Sequence, residues 1–221
     1  MKKIITRTLL KVLGHRSFEK LRYIYYKYFV PDLGYDKAYY EGIHSANHKY
    51  YNLLAITLMD EFHPKTLIDC GCGHGEISRE FIRNGCEEAF LFDGSIHAVE
   101  MARQNGMKNV EQLDFTNAEK IPAQGDLAIC LEVAEHIPQA YARNLCSLLA
   151  NAAPTVVFTA APPGQGGHLH VNTQPQSYWI AIFNSFGMDF DEDAVQRIRK
   201  KFNGKMLSDY DVNLMVFTKR N

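Results

Sequence analysis

Two clusters of residues in this chain have types and spacings that can do chemistry. The first is Asp69-Cys70-Gly71-Cys72-Gly73-His74-Gly75, followed by Asp93, 18 residues past Gly75, and by Asp114 beside Phe115. Glycines at this spacing let a chain turn tightly after a strand and bring backbone amides close to a ligand. A dinucleotide loop reads GxGxxG and aims a helix N-terminus at a pyrophosphate. Here the glycines fall at GxGxG, and Asp69 sets a negative charge where a pyrophosphate would sit, which suits a ligand carrying an ammonium group. Asp93 is placed to take two ribose hydroxyls, as the matching acid does in dinucleotide folds. Asp114 and Phe115 form a pair that can hold a base, the carboxylate by its amino group and the ring by stacking. A tight strand–helix turn alone also explains a lone glycine loop, but three acids closing consecutive strands weaken that simpler reading.

The second cluster is Glu132-Val133-Ala134-Glu135-His136, answered downstream by Gly167-His168-Leu169-His170-Val171-Asn172. Carboxylates and imidazoles gathered in this way support two chemistries. A histidine can serve as general base for a hydroxyl, with His168 or His170 the candidates and His136 a third. Alternatively, Glu132, Glu135, His136 and His170 supply a mixed oxygen and nitrogen set for a divalent ion such as magnesium. Simpler roles stay open for both: Glu135 in a first helical turn, complementing its dipole, and His136 bonded to a loop backbone.

Elements that would position these residues follow from hydrophobic patterning. Short apolar runs at 66–69, 89–92, 110–113, 127–131 and 155–159 read as buried parallel strands. Helical stretches are expected at 76–84, 96–104 and 138–151, with a longer one over 37–62 that His63-Pro64 stops. After the Gly/Pro loop 161–167 come helices around 175–186 and 193–202 and a last strand, 213–218. Alternation of this kind makes a doubly wound α/β sheet, whose ligands sit beyond the carboxyl ends of the strands. Both clusters follow such ends, so both are expected in one crevice.

The series Asp69-x-Gly71-x-Gly73-x-Gly75, then Asp93, then Asp114-Phe115, resembles the class I S-adenosylmethionine-dependent methyltransferases, over about residues 66–218. That resemblance implies a Rossmann-like seven-stranded, mostly parallel sheet flanked by helices, with an N-terminal helical extension. It further implies S-adenosylmethionine as cofactor: Gly71, Gly73 and Gly75 around it, Asp69 and Glu132 beside it, Asp93 on its ribose and Asp114 on its adenine. Glu-x-x-Glu-His with a downstream histidine is similar to the metal site of the small-RNA 3′-terminal 2′-O-methyltransferases. The same local pattern occurs in bacterial small-molecule and glycan methyltransferases, which the Gly-His-Leu-His-Val-Asn stretch and the following Tyr178-Trp179 resemble more. The expected reaction is therefore methyl transfer to a hydroxyl of a small metabolite, sugar or glycan. Methylation of an RNA 3′ end and a non-catalytic, cofactor-binding partner subunit are the alternatives, and a nicotinamide-linked enzyme is the remaining reading of the glycine loop.

Charge and composition narrow the setting. Net charge is −1, but residues 1–30 hold eight Lys/Arg against Glu19, which leaves the remainder of the chain at −8. A basic arm on an acidic body points to an anionic contact such as a lipid surface, a phosphorylated substrate or RNA. Residues 1–34 are accordingly read as an amphipathic helical extension to a catalytic domain over 35–221. Its Ile4, Ile5, Leu9, Leu10, Leu13 and Phe18 can meet lipid or pack on the protein. Five cysteines without a pairing pattern favour a reducing, cytoplasmic setting. No apolar run is long enough to span a membrane and no secretory signal is evident, although the acid-free, basic residues 1–18 keep an organellar transit peptide open. Tyr39, Tyr40 and Trp179 can either pack the core or face ligands.

Overall fold

Hydrophobic alternation decides how the strands are laid down. The computed structural model describes residues 37–220. The basic extension expected over 1–34 lies outside the described residues, as do the side chains of Tyr39 and Tyr40. Helix α1 (Lys37–Phe62) ends ahead of His63-Pro64, as proline requires. Then follow β1 (Thr66–Cys70), α2 (Glu76–Arg83), β2 (Glu88–Asp93), α3 (Ile96–Gln104) and β3 (Asn109–Gln112). The second half holds β4 (Leu127–Leu131), α4 (Ala142–Ala152), β5 (Thr155–Thr159), α5 (Gln176–Ser185), β6 (Met188–Phe190), α6 (Glu192–Phe202), α7 (Ser208–Val212) and β7 (Met215–Lys219).

The strands form one seven-stranded sheet in the order β3-β2-β1-β4-β5-β7-β6. β1 to β5 pair in parallel, while β7 runs antiparallel to both β5 and β6. Side chains alternate between two cores on opposite faces of the sheet. Ile68, Ala128, Cys130, Val156 and Phe158 meet the α4/α5 side with Trp179 and Phe183. Their neighbours Leu67, Leu127, Ile129 and Val157 face the α1, α2, α3 and α6 side with Leu54, Phe81, Val99 and Phe202. This period-two division is what makes the central strands apolar throughout. No helix among the described residues is long and apolar enough to cross a membrane.

The expected doubly wound sheet is thus present, with differences at its margins. β6, only three residues long, supplies the seventh strand that the resemblance implies although no apolar run marks its place, and α7 is likewise unmarked. Helix α4 starts at Ala142 rather than at Pro138, because residues 139–141 first make a 3-10 turn. β7 begins at Met215, leaving Asn213 and Leu214 as its lead-in.

Candidate active site

At the end of β1 the chain folds back over β2: the N–H groups of Gly71 and Cys72 both donate to the Phe92 carbonyl, at 2.7 and 3.1 Å. Gly71, Gly73 and Gly75 have φ of 84°, 52° and 79°, a left-handed backbone that favours glycine. A Cβ on Gly71 would lie 2.2 Å from Cγ2 of Val133. That contact shows how closely the loop after β1 lies against the loop after β4, the point where strand order reverses and ligands bind.

Asp69 is buried, and its Oδ2 accepts a 2.5 Å hydrogen bond from the Ser78 hydroxyl in α2. Burial, followed by the charge of Asp93, raises its carboxyl to about 7 despite Ser78. Asp93 closes β2 and accepts from the Gly73 N–H at 2.9 Å and the Ser95 N–H at 2.8 Å. Burial lifts it to about 6 against those amides. A pair of desolvated carboxylates beside a glycine loop fits a cationic ligand better than an anionic one.

Asp114 and Phe115 lie just past β3, and the two side chains part there. β3 ends at Gln112, so Asp114 lies two residues beyond it, exposed, and caps a turn. Its carboxylate accepts from the Thr116 N–H at 2.9 Å, the Thr116 hydroxyl at 2.6 Å and the Asn117 amide at 3.0 Å. Phe115 is 5% exposed and packs in the α4/α5-side core, so its ring is a core wall and not an open stacking surface. Trp179 is likewise fully buried, against Phe158 and Tyr178, which makes it core.

Beyond β4 the second cluster assembles. Glu132 takes a left-handed φ of 56°, and its N–H reaches both the hydroxyl (2.9 Å) and the carbonyl (3.2 Å) of Thr159 at the end of β5. Residues 134–136 make a 3-10 turn onto which the histidine loop is stitched. The N–H groups of Val171 and Asn172 donate to the Glu135 carbonyl at 2.8 and 3.0 Å, and the Asn172 amide donates to the Ala134 carbonyl at 3.4 Å.

Three of the four residues expected to bind metal converge. Donor atoms of Glu135, His136 and His170 lie within 4.8 Å of one another. Glu135 is fully buried, and neither carboxylate oxygen makes a close hydrogen bond among the described residues. Burial, then the charge of Glu132, pushes its carboxyl up to about 9. Its Oε1 lies 3.9 Å from Nε2 of His170, whose ring meets His136 edge-on at 5.0 Å. Burial and the neighbouring His170 lower His136 to about 3, so it is neutral at ordinary pH. The Glu135 oxygens fit a proton or a cation, either of which would relieve their burial. His168 stays exposed at the rim.

Glu132, the fourth expected ligand, is not one of that trio but interacts with Glu135, and its carboxylate accepts from the amides of Asn213 (3.3 Å) and Gln165 (3.4 Å). Burial raises its carboxyl, with Asp209 adding to the effect and the Thr159 and Asn213 hydrogen bonds opposing it. Tyr210, in α7, packs on the α1, α2, α3 and α6 side, where burial, with the Tyr51 hydroxyl and the carboxylates of Glu132, Asp69 and Glu135, pushes its own hydroxyl well above the usual phenol range. Sequence reading missed Gln165, Asn213 and Tyr210. No local pattern marks them, since their contacts join segments far apart in the chain.

A family model described as a methyltransferase domain matches residues 43–205. A ubiquinone biosynthesis O-methyltransferase of Nitrosomonas europaea is 27% identical over 145 residues, covering 61% of this chain and 57% of that one. The chain spans about half the length of the curated relatives it matches. Among solved structures, magnesium protoporphyrin IX methyltransferase of Synechocystis with bound SAH shares the fold at a TM-score of 0.61 and 17% identity, covering 99% of this chain and 100% of that one. Mitomycin 7-O-methyltransferase shares it at 0.63 and 14% identity, over 82% of this chain and 62% of that one. Taken with the order of the sheet and the loop between β1 and α2, the family match is decisive: the chain belongs to the methyltransferase-domain family of class I, S-adenosylmethionine-dependent enzymes.

Proposed function

We propose that the protein transfers the methyl group of S-adenosylmethionine to a hydroxyl on a small metabolite, sugar or glycan. The observation that carries this reading is the meeting of two unlike half-sites at the switch point of one sheet: a buried and a half-buried carboxylate around a left-handed glycine loop, and an imidazole pair beside the buried carboxyl of Glu135. S-adenosylmethionine supplies an activated methyl group on a sulfonium. This chain's contribution is to bind, orient and handle a proton. Asp69 and Asp93 offer negative charge to a cationic ligand, and Asp93 has lone pairs left for ribose hydroxyls once Gly73 and Ser95 are satisfied. Gly71, Gly73 and Gly75 give the loop its left-handed backbone, and Gly71 and Gly75 let it pass close against Val133 and against Met107, Ala102 and Leu91.

In-line displacement requires the acceptor oxygen to be aligned and stripped of its proton. His170 is the better base, because His136, lowered to about 3, takes up a proton poorly. His168, exposed at the rim, is the second candidate. A divalent ion held by Glu135, His136 and His170 is the other way to activate the hydroxyl, lowering its pKa. Magnesium was the ion expected; two imidazoles in the set suit zinc or manganese better. The O-methyltransferase names of the sequence relative and of one structural neighbour support oxygen as the acceptor atom.

Calorimetric titration with S-adenosylmethionine tests the first half of the reading. Binding in the micromolar range that Asp93→Ala weakens at least about 100-fold is the expected outcome, a loss in line with removing a charged hydrogen-bond partner. No binding by the wild-type protein would overturn it. Turnover of hydroxylated acceptors, measured with and without EDTA, then separates a histidine base from a metal-assisted reaction.

A further inference from the structure

Glu132 presents a problem that its surroundings solve in an informative way. A non-glycine residue at φ 56° sits in sparsely populated backbone space and persists only where neighbours over-determine it. Its main chain is fixed by Thr159. Its carboxylate is fixed by two amides from distant segments, Asn213 on Oε1 and Gln165 on Oε2. The Asn213 amide also donates to Oε1 of Gln165 at 3.1 Å. Each donor faces an oxygen that can only accept, so the orientation of both amides is set by chemistry, and the three side chains close a ring of hydrogen bonds.

The ring is anchored outside the loops it joins. Asn213 is 3% exposed, and the backbone ahead of it is gripped by Arg199 of α6, which donates to the carbonyls of Asp211 and Val212 at 2.9 Å each. Gln165 has a second task. Its main-chain carbonyl lies 3.3 Å from Nδ1 of His170. A carbonyl can only accept, so a hydrogen bond there calls for the proton on Nδ1, with Nε2 turned toward Glu135. The Nε2 edge of His170 lies against Gly167, where a Cβ would come within 2.1 Å of that nitrogen.

We propose that Asn213 and Gln165 are positioning residues of the acceptor site, which together hold Glu132 in its left-handed conformation and fix His170 in the Nδ1–H tautomer. The C-terminal lead-in to β7 thereby sets which nitrogen of His170 is presented to the acceptor. The inference rests on the proposed function only in taking His170 to act on the acceptor; the tautomer itself needs no turnover to be measured.

The test is nitrogen NMR of histidine-labelled full-length protein at one fixed pH, with the His170 signals identified by their loss in His170→Gln. Asn213→Asp keeps size but turns a donor toward Glu132 into an acceptor. Gln165→Ala removes the side-chain grip and keeps the main-chain carbonyl. The wild type is expected to show mainly the Nδ1–H form, and each variant to lower the Nδ1–H to Nε2–H ratio about five-fold, as loss of one modest hydrogen bond implies. Variants that lose thermal stability but keep the wild-type tautomer ratio would reduce the ring to a loop fastener and overturn the proposal. A wild type already in the Nε2–H form would overturn it as well. Failure of the wild type to bind S-adenosylmethionine, by contrast, would remove the proposed function and leave the tautomer result standing.

Discussion

Asp69 and Asp93 are the residues whose protonation cofactor binding must change. Both are raised, Asp69 to about 7 and Asp93 to about 6, with burial the leading cause in each. At pH 5 the free protein therefore holds protons where a cationic ligand needs charge. Affinity for S-adenosylmethionine is expected to rise from pH 5 to pH 8 and to level off above about 7, because proton release then no longer accompanies binding. Titrations at several pH values check this, and a flat profile would contradict the assignment of these two carboxylates to the cofactor. Steric predictions at single glycines are equally direct. Gly71→Ala combines φ 84° with a 2.2 Å approach to Val133, so it should displace the loop after β1 and cost at least about ten-fold in cofactor affinity. Gly167→Ala meets His170 instead. Its expected signature is lost turnover with cofactor affinity retained, which calorimetry and a turnover assay on one sample can separate.

Between elements, the fastening of α1 to α6 carries a prediction from a carboxyl shifted the opposite way. Glu61, mostly buried, accepts from Arg197 at 2.7 Å and Lys201 at 3.1 Å, and Lys201 also reaches Asp60 at 2.8 Å. Burial works against the Glu61 charge, but the two basic partners hold its carboxyl below the usual value. Its contribution to stability is therefore present above the unfolded pKa and lost as pH falls through the folded one. Glu61→Gln should lower stability by about 1 kcal/mol at neutral pH and by less in acid, since both partners are partly exposed. Chemical denaturation at two pH values measures the difference. Elements of this size show why the chain was readable in part. β1, β2, β4 and β5 are continuous apolar runs, and the spacing of Asp69 to Gly75 is local, so one-dimensional pattern suffices for both. β6 is three residues long, too short for alternation to register. Asn213 meets partners 48 and 81 positions away, and no pattern near residue 213 encodes that. The direction of the Phe115 ring is not legible for a related reason: a ring following a strand can turn to a ligand or to the core, and only packing decides.

At the scale of the whole molecule, the two half-sites link cofactor binding to folding. In the apo protein Asp69 is buried and Asp93 half-buried, with no cationic partner among the described residues, and their raised values mean that the folded state binds protons more tightly than the unfolded chain. That contribution is at its best below about pH 4 and is lost as pH rises toward 7. A ligand that prefers the charged carboxylates must reverse the trend, since it is held most tightly where the apo protein suffers most. Saturation at about 100 times the dissociation constant adds roughly 2.7 kcal/mol. For a domain of this size that is a rise in melting temperature of roughly 5–10 °C. The rise should be larger at pH 8 than at pH 6 and nearly absent in Asp93→Ala. Thermal melts of the wild type and this variant, with and without S-adenosylmethionine at both pH values, test the whole linkage. A ligand-induced rise equal at the two pH values would mean that the cofactor's charge is met elsewhere, and the assignment of Asp69 and Asp93 would have to move with it.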